Sequence, residues 1–266
     1  MIHLEGRVTV EAALQAGRRR ISVILMKDGT HEEKLEELLA LAERRKVAVK
    51  RVAGGELDAL AHGRSHGGVL ALCVALKPLE ERELLTVIDG QATAPLLLLL
   101  DGTEDARNLG FTLRSAEALG ATAVLVKKHV LDFDETELSR ASSGAFERLP
   151  LVRIDRETEL LRELRRRGFE LVACVAGAKR VAWQLDLRGP VVLCVGGEKR
   201  GLSGAVRDEC TRFARIPMHS AVTSLSMSHA AAILLAEAAR QRFAVPPSNA
   251  TADAPAADAP TEEIPP

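Results

Sequence analysis

The stretch LLLLLDGTEDARNLGFTLRSA, residues 96–116, determines the fold of the larger part of this chain. Its run of five leucines before Asp101 is typical of a strand buried on both faces, as in parallel sheets. The polar residues after the strand include Asp105 and Asn108, and the helix-forming segment that follows carries Arg114. Because open α/β sheets bind ligands beyond the carboxyl ends of their strands, we expect an amide and a guanidinium at a ligand site here.

Further strands and helices alternate along the chain on both sides of this stretch. The predicted strands lie at 21–26, 48–52, 68–76, 96–101, 123–128, 149–154, 170–176, 191–197 and 213–218. The predicted helices lie at 31–46, 109–119, 135–140, 156–168, 202–208 and 225–243. This alternation indicates an α/β protein in which helices cover both faces of a mostly parallel sheet.

The same pattern divides the chain into two folded units. Residues 1–77 form a small α/β domain, and residues 95–245 form a larger one. A polar connector at 78–94, with a helical pattern over 79–88, separates them. The remaining segment, 246–266, is rich in Pro, Ala, Asp and Thr and is expected to be disordered.

Composition excludes several classes of protein. No apolar run approaches the ~20 residues that a membrane-spanning helix needs. The N-terminal segment lacks the basic-then-apolar pattern of a signal peptide, so a cytoplasmic location is expected. The four cysteines show no CxxC spacing, which indicates free thiols and argues against a metal site or a disulfide framework.

The overall charge understates how basic the folded part is. The net charge is −1, but the segment from residue 246 carries four acidic residues and no Lys or Arg, so the rest of the chain carries +3. Basic clusters recur at 18–20, 44–46, 127–128 and 165–167. Each cluster alone is typical of a solvated helix end or loop, and together they are compatible with an RNA partner.

Two later segments also follow buried strands. In CVGGEKRGLSGAV (194–206), the pair Gly196–Gly197 would allow backbone N–H groups to approach a ligand, although such a pair is often only a tight turn. The segment lacks the GxGxxG spacing of a dinucleotide site and the Lys-Ser/Thr of a P-loop. In RIPMHSAVTSLSMSHAAAILLAEAAR (215–240), Ser224 is placed to cap a long helix.

In this order, the three segments resemble the motifs of the SpoU (TrmH-type) RNA ribose methyltransferases of the SPOUT superfamily. The first motif, D-P-x-N-x-G-x-x-x-R-x-A, is matched by Asp105, Asn108, Gly110, Arg114 and Ala116. The second, G-x-E-x-x-G-L, is matched by Gly196, Glu198, Gly201 and Leu202. The third, I-P-M…S-L-N-V-S-x-A, is matched by Ile216, Pro217, Met218, Ser224, Leu225, Ser228 and Ala230.

The resemblance implies a fold, a cofactor and partners. The C-terminal domain would contain a deep trefoil knot, and residues 1–76 resemble the ribosomal-protein-like RNA-binding domain that often precedes it. The cofactor would be S-adenosylmethionine, bound near Val175, Gly196, Gly197, Ile216, Met218 and Leu225. The expected partners are RNA, ribosomal rather than transfer RNA, and a second copy of the chain packed through the last helix.

The resemblance also implies residue roles in methyl transfer to a ribose 2′-hydroxyl. Arg114 would bind the adjacent phosphate and position the hydroxyl, and Asn108 would orient Arg114 or the ribose. Glu198 would orient a basic partner or the substrate, and Ser224 would donate a hydrogen bond near the reacting oxygen. Ser226 replaces the Asn of the third motif, which the family uses to order the active site.

Several alternatives remain open from the residues alone. Arg114 could form a salt bridge with Asp101 or Asp105 instead of binding substrate. The chain could be a non-catalytic RNA-binding relative in which Ser226 has abolished turnover, or a transfer-RNA ribose methyltransferase. A conventional α/β enzyme that uses another nucleotide is a third class.

Overall fold

The computed structural model describes residues 1–30, 32–62, 66–103, 105–127, 133–219 and 224–243. The segment 246–266, predicted to be disordered, lies outside these residues. Within the described part, no helix is both long and apolar enough to cross a membrane. The described residues form two sheets, one in each predicted unit.

The N-terminal unit is a four-stranded mixed sheet in the order β1-β4-β2-β3. Its elements are β1 (Ile2–Glu5), α1 (Arg7–Ala16), β2 (Ile21–Lys27), α2 (Glu36–Arg44), β3 (Val49–Val52), α3 (Gly54–Leu60) and β4 (Val69–Cys73). Strand β4 runs antiparallel to β1 and β2, whereas β2 and β3 are parallel. The three predicted strands are confirmed, while β1, α1 and α3 are absent from the sequence prediction.

The C-terminal unit is a seven-stranded sheet in the order β11-β9-β10-β6-β7-β8-β5, with parallel pairing throughout. Its strands are β5 (Leu79–Glu80), β6 (Leu96–Asp101), β7 (Ala123–Lys127), β8 (Leu151–Ile154), β9 (Glu170–Cys174), β10 (Val191–Gly196) and β11 (Arg212–Ala214). Its helices are α4 (Glu81–Asp89), α5 (Ala106–Ala118), α6 (Glu135–Ala141), α7 (Ala145–Arg148), α8 (Glu157–Arg166), α9 (Gly204–Glu209) and α10 (Met227–Arg242). The predicted parallel, doubly covered sheet is confirmed.

The central strand β6 is buried along its whole length, as its leucines predict. Its side chains alternate between two separate clusters, because successive residues of a strand point to opposite faces. Leu96, Leu98 and Leu100 pack with apolar residues of α5 and α10. Leu97 and Leu99 pack with residues of α4 and α8 on the other face.

The predicted connector at 78–94 is part of the larger domain's structure. Its first residues form β5, which pairs in parallel with β8 at the sheet edge. Its helix α4 buries Leu84 and Ile88 in the same cluster as Leu97. The polar composition of the segment reflects the exposed face of an amphipathic helix, and only residues 90–95 remain as a link to β6.

Charged and polar contacts join the two domains where α1 and β1 meet α6 and α7. The side chain of Arg19 donates to both carboxylate oxygens of Glu147, at 2.8 Å each, and to Glu135 at 3.1 Å. At the other end of the interface, the hydroxyl of Thr136 donates to the carbonyl of His3 at 2.8 Å. These contacts hold the small domain against the helices that follow β7.

Candidate active site

A cavity of about 260 Å³ opens where β9 and β10 end. Five of the six predicted cofactor-binding residues line it, together with Ser224; the five are Val175, Gly196, Ile216, Met218 and Leu225. Apolar side chains from α10, including Ala230 and Leu234, complete its walls. The structure therefore brings together the ends of two neighbouring strands and the segment before the last helix, as the carboxyl-edge rule predicts.

The two glycines after β10 serve close backbone packing. A Cβ atom on Gly196 would overlap the backbone of Gly201, and one on Gly197 would overlap the carbonyl of Gly102. The N–H of Gly197 donates to the carbonyl of Asp101 at 2.9 Å, and the N–H of Gly201 donates to the carbonyl of Gly197 at 2.9 Å. Gly196 lines the cavity, whereas the sixth predicted cofactor residue, Gly197, packs against the end of β6.

A buried ionic network fixes the loop after β10 to the two central strands. Lys127 at the end of β7 contacts Asp101 at the end of β6, with 2.7 Å between nitrogen and oxygen. The other oxygen of Asp101 accepts from the backbone N–H of Ser203 at 2.6 Å. Burial alone would raise the pKa of the Asp101 carboxyl, but the hydrogen bonds from Lys127 and Ser203 outweigh it and lower that pKa.

A chain of hydrogen bonds links the first and third motifs. Asp105 caps α5 by accepting from the backbone N–H of Asn108 at 2.7 Å, and its second oxygen accepts from the Asn108 amide at 2.8 Å. The amide oxygen of Asn108 accepts from the hydroxyl of Ser228 at 3.2 Å. The hydroxyls of Ser228 and Ser226 lie 3.2 Å apart, and Ser226 also contacts the ring nitrogen Nδ1 of His229.

Ser226, rather than Ser224, caps the last helix. Helix α10 begins at Met227, two residues after the predicted start, and the Ser226 hydroxyl accepts from the N–H of His229. Ser224 lines the cavity instead. A serine at the position of the family's Asn thus keeps a capping role. The side-chain oxygens of serine and asparagine can both accept from the free N–H groups at a helix start.

Glu198 connects the second motif to the third. Its Oε1 accepts from the backbone N–H of Met227 at 3.3 Å, within the first turn of α10. A carboxylate is favourable there because the first N–H groups of a helix lack intrahelical partners and carry partial positive charge. The contact orients the start of the helix on one side of the cavity, a role that the sequence does not predict.

Arg114 lies apart from the residues above. It is exposed on α5, three residues from Phe111, whose ring is 51% exposed. In the described part of the chain Arg114 forms no ion pair with Asp101 or Asp105, which contact Lys127 and Asn108 instead. The salt-bridge alternative is therefore wrong, and a single chain does not place this guanidinium in the cavity wall.

Sequence reasoning missed three participants in this site. Lys127 and Ser203 bind Asp101, and His229 contacts Ser226. A signal for Lys127 was present, because it ends the strand adjacent to β6 and so lies at the same sheet edge as Asp101. His229 shows no such signal, since it occupies an unspecified position of the third motif.

Comparisons with known proteins agree with this geometry. The model of the SpoU rRNA Methylase family matches residues 95–236, and that of the RNA 2'-O ribose methyltransferase substrate binding domain matches residues 3–79. The 23S rRNA (guanosine-2'-O-)-methyltransferase RlmB of Xylella fastidiosa (strain 9a5c) is 36% identical over 240 residues, which cover 90% of this chain and 96% of that protein. RlmB of Pseudomonas putida is also 36% identical, over 237 residues covering 89% and 95%.

Solved structures show the same architecture. The crystal structure of an RNA 2'-O ribose methyltransferase aligns with a TM-score of 0.72 and 31% identity, covering 90% of this chain and 88% of that one. The SpoU methyltransferase AviRb from Streptomyces viridochromogenes, in complex with the cofactor AdoMet, aligns with a TM-score of 0.73 and 25% identity, covering 91% and 90%. In each comparison the structural similarity therefore covers both domains of this chain and nearly the whole length of the compared chain.

Proposed function

The chain belongs to the SpoU rRNA methylase family, and from this premise we propose that it methylates the ribose 2′-hydroxyl of a guanosine in 23S ribosomal RNA. The RlmB proteins that match it are named for this reaction, and the chain spans 96% of the length of one of them. The observation that carries the proposal is the cavity itself, which gathers residues of the second and third motifs and lies beside the Asn108 network.

The cavity fits S-adenosylmethionine. Its walls are mostly apolar, and residues 216–219 and 224–226 lie outside helices and strands, so their N–H and C=O groups are not engaged in a strand ladder. Apolar walls with a few backbone donors and acceptors suit a neutral purine. We propose that Val175, Gly196, Ile216, Met218 and Leu225 hold the adenosine part. When bound, the cofactor supplies an electrophilic methyl group.

The residues around the cavity orient the ribose hydroxyl. Asp105 and Ser228 fix the Asn108 amide by one hydrogen bond each, which leaves an amide N–H for the substrate. Ser224 lines the cavity. We propose that its hydroxyl donates a hydrogen bond near the reacting oxygen. Orientation of this kind lowers the barrier because the hydroxyl and the methyl group are held in line.

The expected homodimer would bring Arg114 to a second copy's cavity. Arg114 and Phe111 are both exposed on α5. Helix α10 of the same chain packs against α5 and exposes Ile233. Two exposed apolar side chains on adjoining helices favour burial against a second copy. We propose that the dimer packs through α5 and α10 and that Arg114 binds the phosphate next to the target ribose.

Two other expectations stay predictions. The trefoil knot implied by the family motifs would involve the loop after β10 and the segment before α10. The cytoplasmic location is the second expectation. It rests on the proposed ribosomal RNA substrate and on the bacterial source of the matching relatives.

The test is direct. The full chain is incubated with transcribed 23S rRNA and S-adenosylmethionine carrying a labelled methyl group, and the nucleosides are separated by mass spectrometry. A parallel incubation contains transfer RNA instead of 23S rRNA. We expect 2′-O-methylguanosine at one position of the 23S rRNA. Label in transfer RNA alone, or in another nucleoside, would contradict the proposal. Cofactor binding without methylation of any RNA would favour the non-catalytic alternative.

A further inference from the structure

A second cleft lies beside the cofactor cavity, on the edge of the sheet formed by β11. Its volume is about 630 Å³, and it shares Val175 with the cavity described above. None of its nine lining residues is acidic, and four are basic: Lys179, Arg180, Arg207 and Arg212. An open cleft of this composition has a strongly positive surface, which attracts anions.

Most of these charges are free to bind an anion. Arg212 contacts Glu170 at 3.3 Å, but Lys179, Arg180 and Arg207 form no ion pair within the described residues. The segments 175–184 and 210–219, which carry three of the four cations, contain no Asp or Glu. Arg207 lies on α9, where Asp208 and Glu209 follow it, and Glu209 pairs with Arg162 and Arg165 instead.

The backbone that carries the cations is held in place. The N–H of Val175 donates to the carbonyl of Ala214, and the N–H of Arg215 donates to the carbonyl of Arg180, each at 2.9 Å. A further bond at 2.9 Å joins the N–H of Ala182 to the carbonyl of Arg215. Because the loop is tied to β11, less backbone entropy is lost when a ligand binds than for a free loop.

An exposed aromatic ring lies among the charges. Phe213 is 38% exposed on the edge strand, and the guanidinium of Arg207 lies 5.9 Å from its ring centroid. Aromatic residues make up only 3% of the chain, and its one tryptophan, half-exposed Trp183, follows the same loop. Cations interleaved with exposed rings are typical of surfaces that bind phosphates and stack bases of a single strand.

We infer that this cleft binds a single-stranded part of the RNA substrate that flanks the methylated nucleotide. The inference rests on the proposed function, because the target ribose must reach the adjacent cavity. Phosphates would contact Lys179, Arg180 and Arg207, and a base would stack on Phe213. The catalytic domain would thus hold RNA by itself, on a surface separate from the N-terminal domain.

The test uses the full chain and transcribed 23S rRNA, with RNA binding measured at several salt concentrations in the absence of cofactor. The double variant Arg180→Ala/Arg207→Ala removes two phosphate contacts, so affinity should fall about tenfold. The slope of log K against log salt should become shallower by about 1.4, because each single-strand phosphate contributes about 0.7. Phe213→Ala should weaken binding at least fivefold while leaving the slope unchanged, because stacking releases no counterions.

The matched control is Arg156→Ala/Arg188→Ala. It makes the same change in net charge with two exposed arginines that pair with Glu159 and Asp186. The inference is overturned if the Arg180→Ala/Arg207→Ala variant binds RNA as tightly as the control variant does. It is also overturned if that variant loses S-adenosylmethionine affinity while its RNA binding is unchanged, because the cleft would then belong to the cofactor. Methylation by the unaltered chain is scored separately, so failure of the proposed reaction is distinguishable from failure of this binding surface.

Discussion

Arg19 of the small domain and Glu147 of the large domain form a two-pronged ion pair in which the side chains are 0% and 1% exposed. The guanidinium also donates to the carbonyl of Val74 at 3.2 Å, and the carboxylate accepts from the hydroxyl of Ser139 at 3.1 Å. Each charge is therefore compensated only while the two domains remain in contact.

Breaking this pair should destabilise the protein more than replacing it. Arg19→Met leaves the buried Glu147 carboxylate without a counterion, which costs about 3–5 kcal/mol. Glu147→Gln should cost less, because Arg19 keeps its ion pair with Glu135 at 3.1 Å. The double variant Arg19→Met/Glu147→Gln should lose much less than the sum of the single losses. Urea denaturation of the four proteins gives the coupling energy. Additive losses would show that the two charges do not depend on each other.

Asp101→Asn should destabilise the chain at neutral pH by about 1.5–3 kcal/mol, because Lys127 loses the nearer of its two counterions and keeps only Glu157 at 3.1 Å. Since the pKa of Asp101 is lowered in the folded state, its stabilising contribution is present above the unfolded value of about 3.9 and is lost as pH falls below it. The difference in unfolding free energy between variant and unaltered chain should therefore shrink in acid. Chemical denaturation from pH 7 down to about pH 2 measures it, because the contribution is lost only below the unfolded pKa.

Asp186→Asn is the control for this pH effect. Asp186 pairs with Arg188, and both side chains are exposed to solvent. Solvent screens such an exposed pair, so its loss should hardly change stability at any pH. An equal loss in the two variants would contradict the role assigned to the buried network.

Ser226→Ala should remove the N-cap of α10 and cost about 1 kcal/mol, which lowers the melting temperature by a few degrees. Methylation should fall as well, because Ser226 supports Ser228 and through it Asn108. Ser226→Asn keeps a capping oxygen and should preserve the melting temperature. Activity that appears only in the Asn variant would instead support a degenerate, non-catalytic relative.

Ser224→Ala provides the comparison for the cap. Ser224 lines the cavity and does not cap the helix, so its removal should leave the melting temperature unchanged while methylation declines. Equal destabilisation by the two serine variants would refute the assignment of the cap to Ser226.

Arg114→Ala should reduce methylation at least a hundredfold and leave S-adenosylmethionine affinity unchanged, because Arg114 lies outside the cavity wall. Arg107→Ala is the matched change on the same helix; Arg107 is exposed and pairs with Glu137. It should keep nearly full methylation. Calorimetry and a methylation assay on the same samples separate binding from turnover.

A complementation experiment decides whether Arg114 acts on the partner's site. Arg114→Ala is mixed with Met218→Trp, whose enlarged side chain fills the cavity. In a mixed dimer the Arg114→Ala subunit keeps its cavity, and the Met218→Trp subunit keeps Arg114. If Arg114 acts on the other subunit's cavity, this pair forms one complete site and part of the activity should return. No recovery, with dimers confirmed by light scattering, would place Arg114 in its own chain's site.

The parts predicted best from the sequence are those determined by local composition. The run of leucines at 96–100 specified a buried parallel strand, and the second and third motifs located about half of the cavity lining. The strand and helix at 2–16 were missed because a four-residue strand carries too weak a pattern. Capping by Ser226 was missed because two serines compete for one helix start.

The sequence could not show features that depend on tertiary pairing. The basic cleft combines residues near 180 with residues near 210, which meet only because β11 pairs in parallel with β9. Likewise, Arg19 and Glu147 are 128 positions apart, and their contact depends on how one domain docks on the other. Neither relationship leaves a periodic signal in the chain.

The alternation of leucines along β6 divides the core of the C-terminal domain into two separately packed halves. One half carries α5 and α10, and with them the groups that would meet the substrate; the other carries α4 and α8. A change to Leu97 or Leu99 disturbs the second half, whereas a change to Leu98 disturbs the first. Selection can thus retune substrate choice on one side of a single strand while the opposite side preserves the rigidity of the sheet.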